Sequence, residues 1–127
     1  MRALYERYTT EVASLAQSGS SDASAIKPLV TQPKFARDQQ SIQTFSKSGR
    51  HVTGRAQVTN FELQQVDLVG GSGRAYVCVD LSNSKVRTKS GRDVTATDRP
   101  DRQALVVGFV RGPLIDTSDV WAGTGVC

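Results

Sequence analysis

The amino-terminal part of the chain repeats apolar residues at intervals of three and four positions. The residues with this spacing are Leu4, Tyr5, Tyr8, Val12, Leu15 and Ala16. Such spacing is typical of the apolar face of an amphipathic helix. We therefore predict a first helix from about Arg2 to Gln17, which ends at the sequence Ser18-Gly19-Ser20-Ser21.

Two further helical segments are predicted before residue 50. Ser21 or Asp22 can cap a short helix that runs through Ile26, because both side chains accept hydrogen bonds from free N–H groups of a first turn. Pro33 suits the first turn of a third helix, which should end near Ser48-Gly49. The side chains that this helix would bury are Phe35, Ile42 and Phe45.

Beyond Arg50 the pattern changes to a period of two, which indicates β-strands. The first residues that share a face are Val52, Gly54, Ala56 and Val58. The phase then slips near Asn60 and again near Gln64-Gln65, and such slips predict β-bulges or bends. The glycine-rich sequence at 70–73 predicts a tight reversal into the next strand.

The remaining strands complete an antiparallel sheet. In the strand from Arg74 to Leu81, odd-numbered residues are apolar, whereas Tyr76, Cys78 and Asp80 lie on the other face. The apolar run at 104–110 predicts a central strand covered on both faces. A last strand should run from Leu114 to about Trp121. Helices followed by a curled sheet predict an α+β fold, with residues 1–127 forming one domain.

Composition and charge narrow the function only slightly. The chain carries a net charge of +4 and has no apolar run long enough to span a membrane. The densest basic stretch is a patch of Lys85, Arg87, Lys89 and Arg92, around the expected hairpin tip Ser90-Gly91. This patch could bind an anionic polymer. Nucleic acid is an unlikely partner, because no aromatic residue interleaves with these cations to stack on bases.

The chain contains two cysteines, Cys78 within a strand and Cys127 at the end. Neighbouring antiparallel strands could bring them together, and a disulfide closing so long a loop would stabilise the fold by about 4 kcal/mol. A disulfide would also place the protein in an oxidising compartment. Two free thiols in a cytoplasmic protein are the alternative that the residues leave open.

No catalytic or metal-binding motif is evident, and we expect no metal or cofactor. Two cysteines and the single His51 are too few for a structural zinc site. Aromatic residues beneath the helices could instead line a ligand pocket. The residues that we expect there are Tyr8, Phe35, Tyr76, Phe109 and Trp121. If the protein were an enzyme, one of Asp80, Asp116 and Asp119 would have to be buried with an altered pKa.

The helix-then-strand layout and three segments of the chain carry a resemblance to a known family. The segments are Ala75-Tyr76-Val77-Cys78-Val79-Asp80, Lys89-Ser90-Gly91-Arg92-Asp93-Val94 and Gly123-Thr124-Gly125-Val126-Cys127. The chain resembles the nuclear transport factor 2-like superfamily, and more narrowly its secreted or lipid-anchored actinobacterial members. The resemblance implies a cystatin-like cone, in which helices pack on a strongly curved antiparallel sheet. It also implies that Cys78 and Cys127 form a disulfide.

These observations favour an exported, non-enzymatic binding domain of the cell envelope, whose export segment would precede Met1. Its partner, a protein or a small ligand, is not identified by the residues, and a homodimer through the sheet is one arrangement. An isomerase or cyclase that uses the cone cavity is the first alternative. A basic binder of an anionic polymer or nucleic acid is the second.

Overall fold

The computed structural model describes residues 1–127 and begins with three helical segments. Helix α1 spans Arg2–Ser18, a 3-10 segment spans Ser24–Leu29, and helix α2 spans Gln32–Lys47. The three predicted helical segments are therefore confirmed, with the second in 3-10 form. Thr31 caps α2 with its hydroxyl, which accepts a hydrogen bond from the backbone N–H of Lys34.

Six strands follow the helices. They are β1 (His51–Thr53), β2 (Gln57–Asp67), β3 (Ser72–Asp80), β4 (Lys85–Arg87), β5 (Arg102–Val110) and β6 (Leu114–Val120). Four of them form an antiparallel sheet in the order β2-β3-β5-β6, and β1 and β4 form a separate two-stranded sheet. The predicted α+β class is confirmed. The four-stranded sheet is open, because its edge strands β2 and β6 do not pair with each other.

The predicted continuous strand through residues 52–58 is wrong. Gly54 adopts a left-handed conformation with φ of 74°, which bends the chain out of the extended path. The segment is therefore divided into β1, which pairs with β4, and β2, which pairs with β3.

The predicted irregularities of the long strand are confirmed. The register of β2 against β3 shifts between Val58 and Asn60 and again between Gln64 and Asp67. Gln65 lies in the second shift and has a positive φ of 51°. Both positions agree with the phase slips in the sequence, because an extra residue in one strand reverses the faces of the residues that follow.

The helices pack on one face of the sheet, which we call the helix-covered face. Its core side chains from the strands include Ala75, Val77, Val107, Phe109 and Ile115. Tyr5 of α1 meets this layer, and its ring centroid lies 6.2 Å from that of Phe61, which lies 6.3 Å from that of Phe109. Apolar and aromatic side chains thus fill the space between helices and sheet.

The opposite, helix-free face carries the alternate residues of the same strands. The predicted central position of β5 is confirmed, but the strand is fully covered on one face alone, because Val107 and Phe109 are buried whereas Val106 and Gly108 are half-buried. What covers part of the helix-free face is the segment after β6, whose Val126 is buried. Neither helix combines the length and the apolar character that crossing a bilayer requires.

Candidate functional site

A disulfide bond fixes the end of the chain to the helix-free face. Cys78 of β3 and Cys127 are bonded, with their Cα atoms 5.1 Å apart. Asn60 of β2 adds a hydrogen bond from its side-chain amide to the backbone carbonyl of Val126, with a length of 3.0 Å. The disulfide expected from the sequence is confirmed.

Two aromatic side chains lie next to the attached tail. The register of the sheet aligns Tyr76 of β3 with Val106 of β5, and Val106 with Asp119 of β6. Trp121 follows two residues after Asp119, and its backbone N–H bonds the carbonyl of Ala104 at 2.9 Å. The ring centroids of Tyr76 and Trp121 are 4.6 Å apart, at an interplanar angle of 53°. The pair therefore presents one aromatic surface on the helix-free face.

An open cavity of about 680 Å³ adjoins this pair, and we call it the trough. Its polar and aromatic lining includes Arg74, Tyr76, Asp116, Thr117, Asp119 and Trp121. Ligand sites generally combine apolar or aromatic surface with a few convergent polar groups. The trough has both, on a face that the helices leave free.

The polar groups of the trough carry both charges. Asp116 is fixed in place, because its Oδ1 accepts a hydrogen bond of 2.8 Å from the Thr31 hydroxyl. Arg74 and Asp119 are exposed and form no ion pair. With a cation and carboxylates around one aromatic surface, the trough suits a neutral ligand that donates and accepts hydrogen bonds better than a polyanion.

The structure divides the five residues that were expected to line a pocket beneath the helices between two places. Of these five residues, Tyr76, Phe109 and Trp121 line the trough, but the Phe109 side chain belongs to the core. Tyr8 and Phe35 lie with the helices. The reason is the period of two, which sends Tyr76 to the face opposite Ala75 and Val77, and this alternation was already visible in the sequence.

Tyr8 instead belongs to a charged cluster that the sequence analysis missed. Its hydroxyl donates a hydrogen bond of 2.7 Å to Oδ2 of Asp38, and Lys34 Nζ donates one of 3.0 Å to Oδ1. Burial, reinforced by the hydrogen bond to Asp38, raises the pKa of Tyr8 above its usual value. Lys34 and Asp38 are four residues apart on α2, a spacing that could have indicated an ion pair.

This cluster joins the two helices. Lys34 is only 5% exposed, so its charge is compensated by Asp38 and by the Tyr8 ring, whose centroid lies 5.1 Å from Nζ. Each carboxylate oxygen of Asp38 already accepts a hydrogen bond from the protein. We interpret the cluster as a structural contact between α1 and α2, because a buried ammonium group must be paired to be stable.

The three aspartates considered as catalytic acids do not converge on a buried site. Asp80 is half-buried at the end of β3, and its pKa is lowered by hydrogen bonds from the hydroxyl and the backbone N–H of Ser82. Asp119 is exposed and Asp116 half-buried. A general acid in a cavity would need a pKa shifted in the opposite direction from that of Asp80.

The basic patch is only partly available to a partner. Arg87 is half-buried, and its guanidinium donates hydrogen bonds to the Thr53 hydroxyl and the Gly91 carbonyl. Lys89 and Arg92 are exposed at the hairpin tip, as expected, and Lys85 is half-buried. His51 pairs with Arg87 in the small sheet. Across the molecule, no three His, Cys, Asp or Glu side chains are grouped so that they could hold a metal ion.

These features define an α+β protein whose disulfide-bonded tail borders an aromatic trough. No family model matches the chain, and no curated protein matches it. Among solved structures, it is similar to the solution NMR structure of a de novo designed β-sheet protein, at 15% sequence identity. That similarity covers 98% of this chain and 92% of the design, with a TM-score of 0.43, and is too distant to support a conclusion about function.

Proposed function

We propose that this chain is an exported, non-catalytic binding domain, and that the trough holds its ligand. The observation that carries the proposal is the Tyr76–Trp121 pair beside Arg74, Asp116 and Asp119 on a face free of helices. Tyr and Trp combine apolar rings with polar tips, and such residues are enriched where proteins bind partners.

The ligand class that best fits this arrangement is a neutral oligosaccharide. A sugar ring has an apolar face of C–H groups that can lie on an aromatic surface, and its hydroxyls both donate and accept hydrogen bonds. Asp116 and Asp119 are acceptors for such hydroxyls, and Arg74 is a donor. The openness of the trough along the sheet suits a segment of a longer polymer.

The proposed location outside the cytoplasm is supported by the Cys78–Cys127 disulfide. Disulfides persist in oxidising compartments and are rare in the cytosol, so the bond is compatible with an extracellular or cell-envelope site. Membership of the cone-shaped nuclear transport factor 2-like superfamily belongs to the same proposal. The order of helices before sheet and the two irregularities in β2 support it.

An isomerase or cyclase activity has less support than binding. It would need an open cavity between helices and sheet, where Tyr5, Phe61 and Phe109 are packed against one another. It would also need a carboxyl group free to exchange a proton there. The nucleic-acid alternative is weakened by the hydrogen bonds that hold Arg87 to the protein.

The single tryptophan of the chain permits a direct test, because Trp121 lies in the trough. We would titrate the protein with chito-, malto- and manno-oligosaccharides and follow its intrinsic fluorescence. We expect saturable changes for at least one class, with affinity reduced about tenfold or more in Tyr76→Ala, because the stacking surface is halved. Tyr76→Phe keeps the ring and should keep most of the affinity.

The matched control is Val120→Ala, which alters an apolar side chain at the end of β6 that is 69% exposed and lies outside the trough. It should bind like the unmodified protein. Absence of any saturable change with the whole panel, or equal affinity in Tyr76→Ala, would contradict the saccharide proposal.

A further inference from the structure

The β2–β3 hairpin ends in two adjacent aliphatic residues that touch almost nothing. Leu68 is 90% exposed and Val69 is 91% exposed. The whole segment from Glu62 to Gly70 is exposed, including the apolar Leu63 and Val66. A single exposed apolar residue is ordinary, but a turn is usually built from Gly, Asn, Asp or Ser, so reversing the chain here does not require Leu or Val.

Three backbone N–H groups of this turn are bonded within the turn itself. The carboxylate Oδ1 of Asp67 accepts hydrogen bonds from the N–H groups of Val69 and Gly70, at 3.1 and 3.0 Å. The backbone carbonyl of Asp67 accepts a third from the N–H of Gly71, at 2.8 Å. Entry of a peptide segment into an apolar medium is costly unless such donors are paired. The tip therefore presents apolar side chains on a turn whose donors at 69–71 are already bonded.

Two cations and one carboxylate lie near the tip: Arg111 in the next turn, Arg74 two residues beyond Ser72 on β3, and Asp67 within the turn itself. The turn between β5 and β6 lies against the tip, because a Cβ atom built on Gly71 would lie 3.1 Å from Cγ of Arg111. Arg111 and Arg74 are both exposed, and neither forms an ion pair. Arg side chains can place their charge at the level of lipid headgroups while their methylene groups follow the apolar residues inward.

We propose that this hairpin tip docks on an anionic lipid surface, with Leu68 and Val69 entering the interface and Arg74 and Arg111 contacting headgroup phosphates. A second copy of the chain fits less well as the occupant. A symmetric contact between two tips would bring like-charged Arg111 side chains together, whereas a lipid phosphate complements them.

The test is co-sedimentation of the full chain with vesicles of phosphatidylglycerol and, separately, of phosphatidylcholine. Two short aliphatic side chains give weak, reversible attachment, so binding should appear at about millimolar anionic lipid and weaken with salt. In Leu68→Ser/Val69→Ser, binding should fall about tenfold or more. In Arg74→Gln/Arg111→Gln, it should fall severalfold and lose most of its salt dependence.

Two further variants decide whether the tip itself enters the lipid. Val120→Ser removes a comparably exposed aliphatic side chain elsewhere and should bind like the unmodified chain. Leu68→Trp, made together with Trp121→Phe, places the only indole at the tip, and its emission should shift to the blue and be quenched by brominated lipid.

Three results would overturn the proposal: no binding to phosphatidylglycerol vesicles at several millimolar lipid, binding that survives Leu68→Ser/Val69→Ser, or self-association in ultracentrifugation that this variant abolishes. The last result would assign the tip to a contact between copies. Saccharide binding in the trough is measured without lipid, so either proposal can fail while the other stands.

Discussion

The two faces of the four-stranded sheet are built from alternate residues of the same strands, yet they are held in different ways. The helix-covered face buries Val77, Val107 and Ile115, which are fully inaccessible to solvent. The helix-free face has no layer of secondary structure above it and is secured at one end by the Cys78–Cys127 bond and the tail. Apolar burial fixes the first face, whereas a covalent link and one aromatic pair fix the second and leave it open to a ligand.

The largest effect should come from removing the covalent link on the helix-free face. The bond joins residues 49 positions apart, and a cross-link of this span restricts the unfolded chain enough to contribute about 4 kcal/mol. We therefore expect the Cys78→Ala/Cys127→Ala variant to lose about that much free energy of unfolding, measured by urea denaturation. Its Trp121 emission should also shift to the red, because the tail that carries it is released.

The control for this prediction is the unmodified protein unfolded in the presence of a reductant, which tests the bond without removing side-chain volume. Reduced protein and double variant should agree. A loss below about 1 kcal/mol in both would show that the tail is held by its noncovalent contacts and not by the cross-link.

The second-largest effect is a loss of folding free energy at high pH, which arises from tyrosines packed on the helix-covered side. Burial raises the pKa of Tyr5 and that of Tyr8 above the ordinary value of 10.0. The unfolded chain therefore loses these protons first. The stability that the neutral hydroxyls contribute is complete below pH 10 or so and is lost as the pH rises beyond it, by up to about 1.4 kcal/mol per pH unit for each group.

Urea unfolding between about pH 9 and pH 11 measures this slope. Tyr8→Phe is the matched variant, because it keeps the ring and removes the hydroxyl that bonds Asp38. It should be less stable than the unmodified protein at neutral pH and should lose stability less steeply above pH 10 or so. Equal slopes would show that Tyr8 ionises in the folded protein as readily as in the unfolded one.

Features that depend on residues close together in the sequence could be predicted from it. The alternation in β3 and the phase slips in β2 are local properties of the chain, and they correctly predicted β3 and both irregularities of β2. The pairing of Lys34 with Asp38 was equally local and could have been found from its spacing.

The trough could not be predicted in the same way. It depends on the register that aligns Tyr76 with Val106 and Asp119, and on the path that brings Trp121 beside Tyr76. The pairing of β1 with β4 was missed for a similar reason. Both strands have three residues, which is too short a segment for periodicity to identify a partner more than thirty residues away.

The smallest expected effect on stability tests whether a position on the helix-covered face is enough to bury a side chain. Ile115 and Val120 both lie on β6, and the register pairs them with Phe109 and Leu105, two residues of that face. The register shift between Gly108 and Phe109 puts these two residues on the same face although they are five positions apart, so the face alone predicts burial for both. Ile115 is fully buried, but Val120 is 69% exposed, so the buried core does not reach the end of the strand.

Shortening these two side chains should consequently have different costs. Ile115→Val removes one methylene from a packed site and should destabilise the protein by about 1 kcal/mol. Val120→Ala removes more carbon from an exposed site, yet it should change stability by no more than about 0.5 kcal/mol. Urea denaturation of the two variants under identical conditions measures the difference. If Val120→Ala proved the more costly, the end of β6 would have to be covered in solution, by the helices or by a second copy of the chain.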